Sequence, residues 1–407
     1  MQQVDIAIVG AGASGMIAAA AASGEARRSG KQPRILLFEK EKMPGKKLLA
    51  TGNGKCNLAN RTVDSGFYDG DRSFIDAVFG AFSPADALLF FRSIGVPTAD
   101  DGSGRLYPVS RRAGAVVAAL RAECERCGAQ ILCETPVMSL RRENGGFIIN
   151  NTYSARRLIV TAGGDAGLRR GEKCGVFRLL RELGVRSSDR YPCLCGLKLA
   201  DYPASLKGVR NICTVTLTAA GKTVFSEKGE IQFNADGISG IPVMQGSLSV
   251  SRLLRQGENC LATLDLVPDS GEKELAEYFS ALAEKYADLP SEQLFGGCLP
   301  KPLCVYLIKR VGVSPAEPFP VKKSSALAVL AKNLPFSVAA TADFPEAQVS
   351  GGGVFTDQFD PRTLEARAVP GLFAAGEILD VTGLCGGYNL AWAWCSGYVA
   401  GRAAGKF

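Results

Sequence analysis

Three glycines at the spacing Gly10-x-Gly12-x-x-Gly15 are the residues of this 407-residue chain whose pattern specifies chemistry most directly. They follow an apolar run, residues 4–9, and precede a run of small residues, 16–22. In that setting each glycine has its own reason. Gly10 permits the tight turn out of a strand, Gly12 lets the backbone approach a diphosphate, and Gly15 lets the next helix lie close to the strand. Ala13 and Ser14 open that helix, whose free amides and dipole favour an anion. A second apolar run, residues 34–39, ends in Glu39, 24 residues after Gly15. A carboxylate there accepts hydrogen bonds from ribose hydroxyls and disfavours a 2′-phosphate. The spacing predicts a βαβ dinucleotide site.

A second set lies near the other end. Residues 371–375 read as a short buried strand closed by Gly376 and Glu377, and Gly386-Gly387 lead through Tyr388 and Asn389 into a final helix reaching about Ala404. Glu377 could hold ribityl hydroxyls. The helix start could face a flavin's N1/C2=O edge, where negative charge gathers on reduction. Extended FAD needs such a second contact, so the pattern predicts non-covalent FAD rather than a nicotinamide dinucleotide at this site. The alternative is an ordinary strand and a helix with Asn389 as N-cap. Lys46 and Lys47 either reach the pyrophosphate or are solvated. Gly163-Gly164-x-x-Gly167 has the wrong spacing for a second dinucleotide turn. If NAD(P)H reduces the flavin, it must therefore dock transiently over the flavin face.

Composition removes several chemistries. The chain has no histidine, which excludes Ser-His-Asp hydrolysis, Cys-His proteolysis and His-ligated metals. Its 13 cysteines are irregularly spaced, as reduced core residues are. Cys124 and Cys127 form a CxxC within a helical pattern and lack a second pair, so no metal is expected. A protein proton donor must then be Tyr, Lys, Cys, Asp or Glu. Tyr388 and Cys385 are the candidates in the C-terminal loop, against packing and a small loop residue as their ordinary fates; Cys56 lies in the other loop. The net charge of +7 comes from Lys and Arg spread along the chain, which suits an anionic small molecule better than nucleic acid. No apolar run approaches the ~18 residues of a membrane helix, and the start lacks a basic leader. A cytoplasmic protein without a membrane span is expected.

The elements that must position these residues form an α/β fold. Helices are predicted near 73–94, 112–127 and 175–183, with strands near 130–140, 146–150 and 156–162 and a loop over 40–60. From about 190 short alternating stretches read as hairpins. Helical periodicity occupies 271–312 and 323–334, and strand texture returns at 336–341. The domains expected are the first part of a nucleotide-binding domain at 1–190, a β-rich insert at 191–270, a helical insert at 271–322, a return through the β-rich insert at 323–345, and the rest of the nucleotide-binding domain at 346–407.

Residues 43–60 (MPGKKLLATGNGKCNLAN), 104–120 (GRLYPVSRRAGAVVAAL), 350–354 (SGGGV) and 370–401 (PGLFAAGEILDVTGLCGGYNLAWAWCSGYVAG) resemble the family of NAD(P)/FAD-dependent oxidoreductases called HI0933-like or YhiN/BaiN-like, some of whose members are labelled aminoacetone oxidases. The resemblance spans nearly the whole chain. It implies a glutathione-reductase-like FAD-binding Rossmann domain interrupted by a β-rich, barrel-like insert, itself interrupted by a helical piece. It also implies that Ser14, Glu39, Lys40, Thr51, Gly52, Asn57, Val137, Ala162, Gly163, Gly376, Glu377, Asn389 and Leu390 line FAD, with the Val137 backbone towards adenine. Ala13, Lys47 and Gly387 complete the expected set. The chain departs from the family over residues 169–175, where a Gly-rich stretch is usual, and Ile241 interrupts a turn at 236–242. The function implied is hydride transfer from flavin N5 to an activated C=C, such as an apolar enone of the 3-oxo bile-acid or steroid type, with NAD(P)H as donor. The alternatives are an amine oxidase using O₂, or an FAD-bound protein associated with RNA or sensing redox state.

Overall fold

A computed structural model describes residues 1–406 of the protein. Two compact units divide it: Met1–Tyr191 with Val349–Phe407, and Pro192–Gln348. In the first, five parallel strands lie in the order Gln130–Leu132, Ile35–Phe38, Gln2–Val9, Tyr153–Val160, Leu372–Ala374. Ile6, Ala7, Ile8 and the whole of Ile35–Phe38 are buried. A parallel sheet covered on both faces demands such unbroken apolar runs. Val9 pairs with Phe38 and Val160, and Val160 with Ala374, so four strands end level at their carboxyl ends, where α/β sheets bind ligands. A hairpin, Leu140–Glu143 and Gly146–Ile149, adds antiparallel pairing to the first half of Tyr153–Val160.

Two helices carry the ends of the chain against each other. The first is Ala13–Arg28 and the last Tyr388–Ala404. A Cβ on Gly397 would lie 2.6 Å from the Ser14 oxygen, on Gly401 2.2 Å from that of Ala18, and on Gly405 2.4 Å from that of Ala22. Both sets step by four residues and so share one helix face. The glycines let backbone meet backbone. This contact fixes where the second glycine-rich loop stands relative to the first.

The second unit contains a closed antiparallel barrel of Leu197–Leu199, Gly237–Ser239, Lys222–Phe233, Arg210–Ala219, Cys260–Asp265 and Leu334–Thr341. Along Arg210–Ala219, Cys213, Val215, Leu217 and Ala219 are buried at period two, as a filled small barrel requires. Helices Glu272–Lys285, Lys301–Arg310 and Ser324–Lys332 belong to the same unit.

Several expectations need correction. The region near 73–94 is two helices, Arg72–Ala81 and Pro84–Ser93, separated by a capping box of Ser83 and Asp86. Residues 72–93 together have the length and apolar composition to cross a membrane. Yet a ten-residue helix is only about 15 Å long, half a bilayer core of about 30 Å. The strand near 130–140 ends at Leu132, and the loop at 40–60 holds a helix, Lys46–Gly54, broken at Thr51, Gly52 and Asn53. The stretch read as wholly β-rich contains the helix Ile241–Arg255. Its Gly246 would, with a Cβ, approach Leu217 Cδ1 to 2.4 Å, so small residues that read as alternation serve close packing instead. The turn at 236–242 supplies a barrel strand and then, at Gly240 with φ +119°, the start of this helix. Charge is not evenly spread either. The first unit has 32 Lys and Arg against 24 Asp and Glu, a net of +8, whereas the second has 15 against 16, a net of −1.

Candidate functional site

The first glycine turn separates into two kinds of glycine. Gly10 has φ +100°, and a Cβ there would meet the Thr161 carbonyl oxygen at 2.6 Å; on Gly15 it would lie 1.9 Å from the Gly10 oxygen. The protein's own backbone dictates both. At Gly12 nothing lies within 4 Å of that position. No intramolecular packing requires glycine there, while a diphosphate approaching the backbone would. Glu39, 8% exposed, accepts hydrogen bonds from Ala11 N at 3.0 Å and Glu41 N at 3.0 Å. Its carboxylate thus ties the turn to the end of the second strand and still has lone pairs for a ribose. Lys40 beside it is exposed.

Glu377 holds a second cradle. Its Oε1 accepts from Ser350 N at 2.9 Å and its Oε2 pairs with Lys47 Nζ at 2.5 Å. Gly163 faces it with φ +71°, and a Cβ on Gly164 would clash with Ser350 Oγ at 2.4 Å. Ser350 is buried, and its Oγ accepts from Asp165 N at 2.8 Å and Ala166 N at 2.9 Å. Asp165 in turn pairs with Arg190 at 2.8 Å and accepts from Cys174 N at 2.6 Å, and the Arg190 guanidinium lies 3.8 Å over the Phe177 ring. Ser350, Asp165 and Arg190 were not identified from sequence. The serine of the SGGGV run was the one available signal. The divergent stretch 169–175 is largely exposed and fastened at Cys174 by this pair.

Between the cradles, Ala162 and Gly163 follow the strand end, and Gly376, φ +78°, abuts Ser14: a Cβ on it would come 2.1 Å from Ser14 Oγ. Val137 lies where its neighbours' backbones are occupied. Asn150 accepts from Met138 N and donates to Pro136 O, and Thr135 N bonds Glu39 O. Among the described residues neither N–H nor C=O of Val137 joins a hydrogen bond, leaving a donor and an acceptor two residues from Thr135. Thr51 and Gly52 form the break in Lys46–Gly54.

The C-terminal loop is set by contact with residues 57–68. Gly386 and Gly387 have φ +126° and +99°, and a Cβ on Gly387 would come 2.4 Å from Ala59 O. Asn57, its amide oriented to satisfy both neighbours, accepts from Gly387 N at 3.1 Å and donates to Ala59 O at 3.0 Å. The final helix starts at Tyr388 with Gly387 as N-cap. Asn389 is therefore not the cap. Its amide is spent on Gly383 N and O, at 2.9 and 2.8 Å, and on Leu384 O, fixing the loop. The first amides of the helix, from Tyr388 to Leu390, have no intrahelical partner and form a donor set at its positive end.

The candidate proton donors are placed as follows. The Tyr388 ring stacks on Phe67 at 4.7 Å and meets Tyr68 edge-on. Burial raises its phenol pKa, nearby Asp64 raises it further, and the Arg105 charge opposes both. Cys385 is half-buried and in no disulfide. Cys56 is fully buried, and desolvation pushes its thiol up to about 12, so it serves the core. Cys124 is likewise buried with its thiol at about 12, and no metal-binding cluster of Cys, Asp and Glu occurs among the described residues.

The chain is similar to known proteins along nearly its whole length. The family model described as HI0933-like protein Rossmann domain matches residues 4–403. The 3-dehydro-bile acid delta(4,6)-reductase of Clostridium scindens is 35% identical over 98% of this chain and 99% of its own. The ribosomal RNA dihydrouridine synthase of Escherichia coli is 28% identical over 99% of this chain and 98% of its own. Among solved structures, the 3-ketosteroid delta1-dehydrogenase of Sterolibacterium denitrificans shares the fold, with a TM-score of 0.51, 13% identity and full coverage of both chains.

Proposed function

The chain belongs to the HI0933-like family and is an FAD-dependent oxidoreductase, and from that premise we propose that it reduces a C=C bond conjugated to a carbonyl, with NAD(P)H as electron source. FAD, when bound, supplies the hydride for such a reduction. The observation that carries the cofactor's placement is Gly12, the one glycine of the turn that nothing in the protein explains. On this reading the amides at Gly12, Ala13, Ser14 and Gly15 take the diphosphate, with Gly10 making the turn. Glu39, Lys40 and the Val137 backbone hold the adenosine. Glu377 with Lys47, beside Ala162, Gly163 and Gly376, binds the ribityl chain. Thr51, Gly52, Asn57, Gly387, Asn389 and Leu390 form the ring end. There the helix amides stabilise negative charge in a site shielded from water. Tyr388 and Cys385 are the groups of that loop able to give a proton.

The conjugated C=C is supported by what two relatives' names have in common. A 3-oxo steroid with a double bond at position 4 and a uracil ring both present an alkene polarised by a carbonyl. Reduction of either adds a hydride at the β-carbon and a proton at the α-carbon. A small apolar enone is favoured by the 35% relative. A second reading, a uracil base within RNA, has one observation in its favour: the unit carrying the dinucleotide turn holds all of the excess positive charge, the sign that attracts a polyanion.

An anaerobic acceptor assay separates these. Holoenzyme reduced with dithionite is mixed with a 3-oxo-4-ene steroid, with a uridine-containing ribosomal RNA fragment, or with O₂. Return of the oxidised flavin spectrum with a saturated organic product supports C=C reduction and identifies the acceptor class. Reoxidation by O₂ alone, together with bleaching of oxidised enzyme by a primary amine, would instead mark an amine oxidase.

A further inference from the structure

A group of cations beside the C-terminal loop has no role in the arrangement above. Strand Arg105–Pro108 pairs with Ala59–Asn60 and with Thr98–Asp100. Arg105 and Tyr107 alternate with Leu106 and so share one face. On that face the Tyr107 ring reaches to 3.3 Å from where a Cβ of Gly52 would stand. Asn60, the register partner of Arg105, donates to Gly386 O at 3.1 Å. The strand is thus attached to both loops assigned to the ring end of FAD. Beyond it the chain turns at Arg111, whose backbone takes φ +52°, uncommon for a residue with a side chain. The turn puts the Arg111 guanidinium 4.7 Å above the Tyr107 ring. Arg112 is the N-cap of helix Ala113–Arg126 without a side-chain capping bond, and the helix adds the positive end of its dipole.

These arginines differ from those of their unit that are held in ion pairs. Arg28, Arg61, Arg126, Arg178, Arg186 and Arg190 all have a carboxylate partner. Among the described residues Arg111 and Arg112 form no ion pair and are exposed, whereas Arg105 is half-buried and its charge acts on Asp101 and Tyr388. Unpaired guanidinium groups around an aromatic face suit a ligand with phosphates and a planar ring. The electron donor required by the proposed reaction is such a ligand, and the chain offers it no second dinucleotide turn. We propose that Arg105, Arg111 and Arg112, with the Tyr107 ring as a platform, form the site where the phosphates of the pyridine dinucleotide dock beside the flavin loops. The inference rests on the reading of the protein as an NAD(P)H-dependent reductase. Arg111 and Arg112 hold the phosphates, and Tyr107 fixes the Arg111 guanidinium.

The test is anaerobic stopped-flow reduction of the holoenzyme by NADPH and by NADH, with wild type, Arg111→Ala/Arg112→Ala, Tyr107→Phe, Tyr107→Ala and, as a charge control in the other unit, Lys273→Ala. In the double variant the apparent Kd for the better donor is expected to rise about tenfold or more, as for loss of charge-assisted hydrogen bonds. The limiting rate of flavin reduction should stay unchanged and the salt dependence of Kd should weaken. Tyr107→Phe should behave as wild type, and Tyr107→Ala should weaken nucleotide binding with FAD content and the limiting rate of flavin reduction unchanged, whereas a merely structural tyrosine would lose FAD or stability as well. Equal Kd values for wild type and double variant would overturn the assignment. So would a double variant that loses retention of a ribosomal RNA fragment while its NADPH kinetics are intact. Failure of the wild type to be reduced by either nucleotide, while dithionite-reduced enzyme still reduces an enone, would remove the nucleotide site and leave C=C reduction standing.

Discussion

The two glycine-rich loops of the first unit reach similar compositions for different reasons. In residues 10–15, Gly10 and Gly15 are held by atoms a few residues away or on the adjoining strand, and Gly12 faces open space. In residues 376–387, two of the three positive-φ glycines press on a distant part of the chain, Gly376 on Ser14 and Gly387 on Ala59, while Gly386 lies nearest the ring of Tyr388. One loop is a turn with a local logic, which the proposed function makes ligand-facing. The other is a docking surface whose glycines let it sit against the first helix and the 57–60 segment. Glycine content alone therefore says little about ligand contact. What distinguishes the positions is whether the protein itself occupies the space a side chain would need.

The sharpest way to break that contrast is a pair of alanine substitutions. Gly15→Ala forces a Cβ to 1.9 Å from the Gly10 oxygen and is expected to destabilise the apoprotein by about 3 kcal/mol in urea unfolding, the upper end of overpacking. Gly12→Ala should change apoprotein stability by less than about 0.5 kcal/mol while sharply weakening FAD binding. Equal unfolding midpoints for the two would show that the distinction is false. Next in size, Glu377→Ala removes the carboxylate between Ser350 and Lys47 and should raise the Kd of FAD roughly ten- to hundredfold, the loss of one or two charge-assisted hydrogen bonds. Native affinity in fluorescence titration would detach the C-terminal loop from the cofactor. A smaller effect is expected at Ser350. Ser350→Ala leaves two buried amides, those of Asp165 and Ala166, without their acceptor, at about 1–3 kcal/mol. If unfolding is unaffected, the cradle around Glu377 is not held as described. The smallest concerns Cys56, whose thiol is pushed up to about 12 by burial. A raised thiol pKa favours the neutral, unreactive form below it, so iodoacetamide at mildly alkaline pH should leave Cys56 unlabelled in the native protein. Rapid modification there would place it on an accessible flavin-side surface.

Much of this contrast was legible in the sequence. The first turn, Glu39 and the final helix declare themselves because their signals are local: a strand, a glycine spacing, a helix start. The resemblance carried by residues 43–60 and 370–401 supplied what local pattern could not. Other features depend on partners far along the chain. Ser350 acts on Asp165, 185 residues away, and the spacing of Gly397, Gly401 and Gly405 has meaning only against Ser14, Ala18 and Ala22. Helix Lys46–Gly54 was hidden by a glycine-rich end that turns left-handed. Helix Ile241–Arg255 was hidden because its buried Gly246, Ser247 and Ser251 mimic the texture of a hairpin. Asn389 looked like a cap because Asn is a common N-cap, but Gly387, at φ +99°, takes that position.

The claim beneath all of this is that the beginning and end of the polypeptide share one FAD. Titration of apoprotein with FAD, followed by flavin fluorescence, for wild type, Gly12→Ala, Glu377→Ala and the double variant tests it most directly. The account predicts one FAD per chain in the wild type and weaker binding in each single variant, with the double variant weakest. Wild-type affinity in either single variant, from apoprotein of unchanged stability, would contradict it.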